Sequence, residues 1–392
     1  VRFSDTEWQA ARSALRVILG DSVMDMRDYI LDLMAGEWTL AETAFDNGCV
    51  ELKLIPPKEL SGSSSTSLRG DPRTWVEGNF AYGGQRYGPV GIRIKGESSY
   101  RDIDEKPSFK VKFSEYDPDG RFMGMKRLVF NNMVSDPSML RERVSYRFFR
   151  ERGVPAPRSN HAVLSVNGEA YGLYANVENT DQELLEGWFD AADGSMWEIH
   201  DADFQEGLLD GFEIEEGDDD RTQIEVLTAV MAQSDGPSRM FDYVDREAWF
   251  RYFATMAYVG NLDGYPFSEP GDDAHLYLDP GTGLFNFIPH GLDETFLDDA
   301  SVEYVMHGIL ATACLLDEPC KGEWRDALRL AIADADSARM QAWVDTYAAE
   351  IDAAGDADPR KEYDDGAVDE GRAYVKSFMD LRSADLEEQL TW

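Results

Sequence analysis

The chain has 392 residues, of which 43% are hydrophobic and 12% aromatic, a composition typical of a globular protein and not of a disordered one. Its 37 basic and 76 acidic side chains give a formal net charge of −39, which repels nucleic-acid phosphates and anionic membranes and argues against both as partners. No run of about 18 apolar residues is present, which excludes a membrane-spanning helix. We expect a solvated acidic surface, with recognition of a basic partner as the alternative.

The first part of the chain predicts helices followed by a loop. Residues 1–45 carry apolar side chains at helical spacing, and residues 61–72 are rich in Gly and Ser. We therefore group residues 1–85 as an N-terminal helical extension and loop. Because the chain begins at Val1, we expect a trimmed form whose targeting segment has been removed.

The hydrophobic period changes to two after residue 90, which predicts a β-rich lobe over residues 86–180. The candidate strands are VGIRIKG, SFKVKF, RLVF, HAVLSV and AYGLYANVE. The last two are predicted to form a hairpin, because Asn167 and Gly168 supply the positive φ angles of a tight turn.

A single helix, predicted over residues 137–152, interrupts these strands. Asp136 is expected to be its N-cap and Gly153 to end it. Leu140, Val144 and Phe148 follow the spacing of one helical face, so we expect them to be buried.

Residues 181–392 predict a mainly helical lobe. The segment 246–260 is apolar nearly all round and predicts a buried helix. Residues 213–221 are acidic but lack the ligand order of a calcium loop, which favours a solvated loop. The segments HLYL and LFNFI predict a short hairpin, and residues 323–392 predict amphipathic helices.

The three cysteines leave the redox state open. Cys314 and Cys320 bracket a short segment and fit a disulfide in an exported protein, although two free thiols are an alternative. Cys49 has no obvious partner.

Three acids have the positions needed for phosphoryl transfer. Asp263 follows the predicted buried helix and can act as a general base, or simply as a turn residue. Asp293 follows the hairpin and can supply a metal oxygen, or cap the next segment. Asp273 precedes the hairpin and can supply a second oxygen, or be an ordinary loop acid. An acid before and an acid after a two-stranded ribbon is the arrangement of protein-kinase-like sites.

The basic half of such a site is predicted on the β-rich lobe. In KPSFKVKF, the polar side chains Lys106, Ser108, Lys110 and Lys112 alternate with apolar ones, so they share one face, which can bind phosphate or simply be solvated. Lys95 precedes a Gly-Ser turn whose backbone N–H groups can cradle phosphate.

Two further residues are candidates with structural alternatives. Arg141 can reach the same cleft or form a surface ion pair. Glu178 can contact the nucleotide or a lysine, or start a helix.

Taken together, these segments resemble the CotH kinase family, atypical kinase-like proteins named for a spore-coat protein. The resemblance runs from about residue 90 to about residue 300. It rests on GIRIKGESS, KPSFKVKF, LVFNNMVSDPSMLRERVSYRFFRERGVPAPR, VNGEAYGLYANVENTD, NLDGY and LYLDPGTGLFNFIPHGLDETF. It implies an α+β, bilobal, protein-kinase-like fold with a β-rich N-terminal lobe and a mainly helical C-terminal lobe.

The resemblance also implies roles for individual residues. Asp263 is implied as the catalytic residue, and Asp293 with Asp273 as the metal ligands. The ATP-binding residues that it implies are Lys106, Lys95, Arg141 and Glu178, and the alternating pattern of KPSFKVKF adds Lys110 to this set. The family's Pro-Trp-Asp-x-Asp pattern reads Pro289-His290-Gly291-Leu292-Asp293 here, so Gly291 stands where a metal-binding Asp is expected, and Asp273 stands where an Asn is usual.

The function implied by the resemblance is an ATP-dependent phosphotransferase that uses Mg²⁺ or Mn²⁺. It would act on Ser or Thr hydroxyls of a secreted or cell-surface bacterial protein, with a basic or Ser/Thr-rich acceptor. The change at Gly291 leaves two alternatives, a pseudokinase or surface adhesion module without turnover, and a nucleotidyl transferase on the same fold.

Overall fold

The computed structural model describes residues 49–55, 74–96, 98–297 and 306–390. The helices predicted over 1–45 and the loop predicted over 61–72 lie outside the described residues.

The N-terminal lobe is a seven-stranded closed barrel. Its strands are β1 (Cys49–Ile55), β2 (Val76–Tyr82), β3 (Gln85–Lys95), β4 (Ser108–Lys112), β5 (Arg127–Asn131), β6 (Ser159–Val166) and β7 (Glu169–Glu178). They neighbour one another in the order β1-β2-β3-β4-β5-β7-β6, and a parallel pairing of β1 with β6 closes the ring. The five predicted strands correspond to β3–β7, whereas β1 and β2 were not predicted.

Alternation along β4 explains which side chains fill the barrel. Phe109, Val111 and Phe113 are buried in its interior, while Lys110 and Lys112 lie on the other face. The β6–β7 turn has positive φ at Asn167 (52°) and Gly168 (85°), as the hairpin prediction required.

Helix α1 (Arg141–Glu151) connects β5 to β6 and begins later than predicted. The carboxylate of Asp136 accepts hydrogen bonds from the backbone N–H groups of Ser138 (2.9 Å) and Arg141 (2.8 Å), so it closes a turn ahead of the helix. Gly153 adopts a left-handed conformation after the last turn, as predicted.

The C-terminal lobe contains eight helices and four strands within the described residues. The helices are α2 (Gln182–Trp188), α3 (Thr222–Met231), α4 (Gly236–Arg239), α5 (Arg246–Val259), α6 (Ile309–Leu316), α7 (Glu318–Asp334), α8 (Ser337–Asp356) and α9 (Asp365–Gln389). The strands are β8 (Met196–Ile199), β9 (Phe212–Glu216), β10 (Ala274–Asp279) and β11 (Leu284–Pro289), in the sheet order β11-β10-β8-β9. The predicted hairpin, β10–β11, is thus one half of a larger sheet.

The prediction of an acidic loop over 213–221 is wrong for residues 213–216, which belong to strand β9. The carboxylates do not need bulk water there, because Glu215 approaches Lys110 (3.6 Å) and Glu216 approaches Arg127 (2.7 Å) across the lobe interface. Phe212, fully buried, anchors the start of the strand in the core.

The buried helix predicted over 246–260 is α5. Asp245 caps it by accepting from the backbone of Ala248, and Gly260 ends it with φ 64°. Its aromatic side chains lie in the main core, which also takes in the C-terminal helices. Cys314 and Cys320 form a disulfide between the end of α6 and the start of α7.

The predicted α+β fold with a β-rich N-terminal lobe and a mainly helical C-terminal lobe is confirmed. Helices capable of crossing a membrane are absent from the described ranges.

Candidate functional site

The candidate site lies where the loop after α5 meets the two ends of the β10–β11 hairpin. Asp263 lies in the first segment, Asp273 immediately precedes β10, and Asp293 follows β11. Burial, followed by the negative charges of Asp293, Asp263 and Asp272, raises the pKa of Asp273 well above its usual range. The fold therefore brings all three predicted acids within electrostatic reach of one another.

Asp273 occupies the space that a side chain at position 291 would need. A Cβ built on Gly291 would lie 2.0 Å from the Oδ2 atom of Asp273, too close for any real contact. Gly291 also has φ 54°, a left-handed conformation that glycine adopts readily. The sequence departures at 273 and 291 are thus in direct spatial contact.

Asn261 joins the Asp263 loop to the Asp293 turn. Its side chain is fully buried, its Oδ1 accepts from the backbone N–H of Asp263 (3.3 Å), and its Nδ2 donates to the carbonyl of Gly291 (3.4 Å). Asp263 itself is exposed, and partial burial raises the pKa of its carboxyl. The acid is therefore accessible while its backbone is anchored.

Tyr265 fixes the rest of the Asp263 loop. Its ring stacks on Phe287 with centroids 5.2 Å apart, its N–H donates to the carbonyl of Asp272 (2.7 Å), and its hydroxyl donates to Asp203 (3.4 Å). Asp203 also accepts from the backbone of Ile309 (2.8 Å) at the start of α6. Burial raises the pKa of Asp203 to about 6. This network ties the loop to the helix behind it.

Helix α1 holds the Asp293 turn from the other side. A guanidinium nitrogen of Arg141 donates to the carbonyl of Asp293 (3.4 Å), and the Arg141 side chain also approaches Asp136 (3.5 Å). The hydroxyls of Ser145 and Thr295 are 2.8 Å apart. Burial raises the pKa of the Asp293 carboxyl to about 6. Asp293 lies inside a short 3₁₀ turn and does not cap a helix.

Lys95 ends β3, and its positive charge partly offsets the rise that burial causes in the pKa values of Asp293 and Glu142. Its ammonium donates to Oδ1 of Asn131 (3.1 Å), and the amide of Asn131 donates to the two carboxylate oxygens of Glu142 (2.9 and 3.0 Å). A barrel lysine therefore lies within electrostatic reach of Asp293, in the C-terminal lobe.

Two histidines and a glutamate of the C-terminal lobe form a polar cluster that the sequence analysis did not predict. His275 and His290 pack edge to face with ring centroids 4.7 Å apart, and His290 lies 3.6 Å from Glu198. Burial, followed by the charges of His275, Lys95 and Lys110, lowers the pKa of His290 well below its usual range, which keeps this imidazole neutral. Lys110, predicted to bind ATP, faces this cluster and is paired with Glu215 as described above.

Lys106 has a partner from the distant C-terminal lobe. Its ammonium lies 2.6 Å from Asp358, in the loop between α8 and α9, and the two side chains are 3% and 0% exposed. Asp358 also accepts from the backbone N–H of Leu173 (2.9 Å). A nucleotide would have to compete with this ion pair for Lys106.

Glu178 is likewise engaged. At the end of β7 it accepts from the backbone N–H (2.9 Å) and from Nε (3.0 Å) of Arg158. It lies at the connection between the lobes, before α2, and is 6% exposed.

The acids fit a divalent cation held jointly with a substrate. In the described part of the chain no group of three or more His, Cys, Asp or Glu side chains is arranged to enclose a metal. Mg²⁺, however, is usually held by one or two carboxylates together with substrate phosphates. Asp273 and Asp293 would provide the two carboxylates, and a cation would relieve the repulsion that helps to raise the pKa of Asp273.

Asn131, Glu142, Asn261 and Asp203 were missed by the sequence analysis. Glu142 offered a signal, because it lies on a helix flanked by buried positions, where an acid needs a partner. The two asparagines offered none, since their partners come from other segments of the chain.

Comparison with known proteins places these residues in a family. Residues 92–386 match the model of the CotH kinase protein family, a span of more than half the chain that continues beyond residue 300, where the sequence resemblance ended.

Two relatives and one solved structure illustrate the similarity. The chain is 28% identical to the inner spore coat protein H of Bacillus subtilis over 254 residues, which is 58% of this chain and 67% of that protein. It is 35% identical over 79 residues to an inner spore coat protein H-like protein of the same organism, covering 20% of this chain and 24% of that one.

The proinflammatory kinase CtkA of Helicobacter pylori aligns over 82% of this chain and 94% of its own, at 8% identity and a TM-score of 0.35, too low to support an argument. The family match alone is decisive, and the chain belongs to the CotH kinase family.

Proposed function

We propose that this chain is an ATP- and metal-dependent phosphotransferase that acts on Ser or Thr hydroxyls of a secreted or surface protein. The observation that carries the proposal is the placement of two carboxyl groups, Asp273 and Asp293, at the two ends of the β10–β11 hairpin. The charge of Asp293 adds to burial in raising the pKa of Asp273, and the charge of Lys95 reaches Asp293. Oxygen ligands opposite an ammonium suit a metal-bound polyphosphate.

Asp263 is the proposed general base. It is exposed, so an acceptor hydroxyl can reach it, and the raised pKa of its carboxyl makes it a better proton acceptor at neutral pH. The hydroxyl proton passes to Asp263 as the hydroxyl oxygen bonds to the γ-phosphorus and the bond to the β-phosphate oxygen breaks, which leaves ADP.

Asp273 and Asp293 would hold Mg²⁺ or Mn²⁺. When bound, the ion supplies positive charge that neutralises the transferring phosphoryl group. Arg141 donates a hydrogen bond to the backbone carbonyl of Asp293. In this arrangement Arg141 positions a proposed metal ligand and does not contact the nucleotide.

Lys95 and Lys110 are the proposed phosphate-side cations, because they lie on the paired strands β3 and β4 and their charges both add to burial in lowering the pKa of His290. Lys106 is paired with Asp358, and Glu178 is paired with Arg158. Each would have to leave its partner before it could bind a nucleotide.

The acceptor and location are inferred from charge and kinship. A formal net charge of −39 favours a basic or Ser/Thr-rich protein acceptor. The relatives in Bacillus subtilis are spore coat proteins by name, which fits a secreted or cell-surface bacterial protein.

A nucleotide-binding module without turnover, a pseudokinase or adhesion module, is the second candidate. It is favoured by two ion pairs that bridge the lobes, Lys110 with Glu215 (3.6 Å) and Arg127 with Glu216 (2.7 Å). If these ion pairs hold the two lobes together permanently, the protein keeps its fold but does not turn over ATP.

The test is label transfer from ATP. The protein is incubated with Mg²⁺ or Mn²⁺, a Ser/Thr-rich basic protein acceptor and either γ-labelled or α-labelled ATP. Asp263→Ala is compared with Asp279→Ala, which removes an acid with only a turn role, since Asp279 accepts from the backbone of Gly281 (2.8 Å). Loss of a general base typically costs about 10²- to 10⁴-fold in rate.

Each outcome has a distinct meaning. Transfer of γ-label that Asp263→Ala abolishes and Asp279→Ala preserves supports the phosphotransferase. Transfer of α-label identifies nucleotidyl transfer. Thermal stabilisation by ATP and metal without transfer supports the pseudokinase, and no response to ATP leaves adhesion.

A further inference from the structure

The ends of three elements meet in one hydrogen-bonded series beside the acids. Lys95 Nζ donates to Asn131 Oδ1 (3.1 Å), and Asn131 Nδ2 donates to Glu142 at 2.9 and 3.0 Å. Lys95 ends β3, Asn131 ends β5, and Glu142 is in the first turn of α1. An amide is thus inserted between a lysine and a helix carboxylate.

We propose that Asn131 and Glu142 are positioning residues that hold the Lys95 ammonium ready for a phosphate. The inference rests on the proposed function, because it gives that phosphate to ATP. The inference goes beyond the proposed function because it assigns the phosphate to Lys95 and not to Lys106. It also gives roles to two residues, Asn131 and Glu142, that the family resemblance did not include.

The carboxylate of Glu142 is expensive to keep where it is. The residue is 3% exposed, and in the described contacts its hydrogen-bond donor is Asn131, not a cation. An apolar side chain would be cheaper to bury if packing were the only requirement. Burial and the charge of Asp293 raise the pKa of Glu142 to about 8, so near neutral pH the group is largely protonated, and it still offers a carboxyl oxygen as acceptor to the Asn131 amide.

The role of Glu142 follows from the geometry of an amide. Because Nδ2 of Asn131 is committed to the carboxylate, Oδ1 is turned toward β3, where it accepts from Lys95. A lysine side chain has four flexible bonds, and holding its end in advance reduces the entropy lost when it binds phosphate.

A neutral amide also leaves the lysine available. An acid at position 131 would neutralise the ammonium, whereas the Asn131 oxygen orients it and keeps its full charge for a ligand. Lys106, by contrast, is already neutralised by Asp358 at 2.6 Å.

Helix α1 also positions the backbone of Asp293. Arg141, next to Glu142, donates to the carbonyl of Asp293 (3.4 Å), so neighbouring residues of α1 set the position of Lys95 and of a proposed metal ligand. Displacing Glu142 should therefore weaken ATP binding without removing any group that touches ATP.

The experiment exchanges the amide and the acid. Asn131→Asp places two carboxylates against each other, and adding Glu142→Gln restores one acid and one amide in the opposite order. We measure the Kd for ATP with Mg²⁺ by calorimetry and the KM and kcat for label transfer. Asn160→Ala is the control, because it removes a buried barrel amide that accepts from Asn176 (2.7 Å) instead of from Lys95.

We expect Asn131→Asp to raise the Kd and KM for ATP by about tenfold or more, since hydrogen bonds to charged groups are worth roughly 1.5–3 kcal/mol. The double variant should stay weakened, because an acid at position 131 still neutralises the Lys95 ammonium after the repulsion from position 142 has been removed. Asn160→Ala should lower the melting temperature without changing the Kd.

Competitive acetylation of Lys95 gives a readout that needs no ATP. Its reactivity should rise in Asn131→Ala and Glu142→Gln, because the ammonium is no longer held. Unchanged acetylation, or an Asn131→Asp variant that binds ATP as tightly as wild type, would overturn the inference while leaving the phosphotransferase intact. Wild-type protein that does not bind ATP would remove both.

Discussion

Two charged regions of this protein, one fully buried and one partly buried, are built in opposite ways. Lys106 and Asp358 form a complete ion pair at 2.6 Å, closed on all sides by the protein. Asp273 and Asp293 are like charges, and the charge of Asp293 adds to burial in raising the pKa of Asp273. The first region is balanced within the chain, whereas the second carries like charges that an external cation would balance. Ligand chemistry is therefore expected at the second and not at the first.

The largest expected effect breaks the balanced region. Asp358→Ala leaves Lys106 buried without its partner, so we expect a loss of about 3–5 kcal/mol in the free energy of unfolding. Urea denaturation measures it. The ATP affinity of the folded protein should hardly change, because this pair lies apart from the proposed phosphate site.

The matching control replaces both partners. Lys106→Met with Asp358→Leu removes the charges together and should lose less stability than Asp358→Ala. A folded Asp358→Ala protein that has lost ATP binding would contradict the comparison and return Lys106 to the nucleotide.

The next effect overloads the unbalanced region. Gly291→Asp forces a Cβ to within 2.0 Å of the Asp273 carboxylate and adds a further negative charge. We expect label transfer to fall by about 10²- to 10³-fold, the usual size for losing one electrostatic contribution in a site. Calorimetric titration with Mn²⁺ should show weakened binding.

An exchange of residues tests the spatial argument directly. Asp273→Asn with Gly291→Asp again places a single carboxylate in this space, and aspartate tolerates the left-handed backbone better than most residues. We expect only part of the Mn²⁺ affinity to return, because asparagine has the shape of aspartate and relieves the added charge but not the clash with a Cβ at position 291. If Gly291→Asp alone binds Mn²⁺ like wild type, the two positions do not share the space as described.

The hydrophobic pattern of the sequence predicted the strands and the helix that carry these charged residues. It did not predict which residues from other parts of the chain pair with them. Strands β3–β7 followed from alternation, and α5 followed from an apolar surface between Asp245 and Gly260. Asp358 could not be assigned to Lys106, because 252 positions separate them and any exposed loop acid looks the same in sequence.

The lysines illustrate the same limit. Alternation placed Lys106 and Lys110 on one face of the chain but could not say which cation has a protein partner. That distinction depends on the α8–α9 loop and on β9, which reach the barrel only in the folded molecule. The acidic loop prediction failed for the same reason, since Glu215 and Glu216 are balanced by the other lobe.

A moderate effect is expected from pH, because burial raises the pKa of Asp293 to about 6. The folded protein holds this proton more tightly than the unfolded chain, so the carboxylate lowers the stability of the metal-free protein as pH rises toward about 6. A cation needs the ionised form, so its affinity should fall by about tenfold per pH unit below 6.

Melting temperatures with and without Mn²⁺ measure this linkage. The stabilisation by Mn²⁺ should grow between about pH 5 and pH 7. Asp293→Asn should flatten this dependence. A stabilisation that is equal at both pH values in wild type would show that Asp293 does not hold the ion.

The smallest effect comes from an exposed ion pair with nearly the same distance as the buried one. Lys376 and Asp345 lie 2.7 Å apart between α9 and α8, with side chains 32% and 66% exposed. Lys376→Ala should cost only about 0.2–1 kcal/mol, and less in high salt, because water and ions already screen the charges. Urea denaturation at two salt concentrations measures this cost beside that of Asp358→Ala. If the exposed pair proved as costly as the buried one, distance and not burial would govern charge in this protein, and the raised pKa values of Asp273 and Asp293 would no longer point to a missing cation.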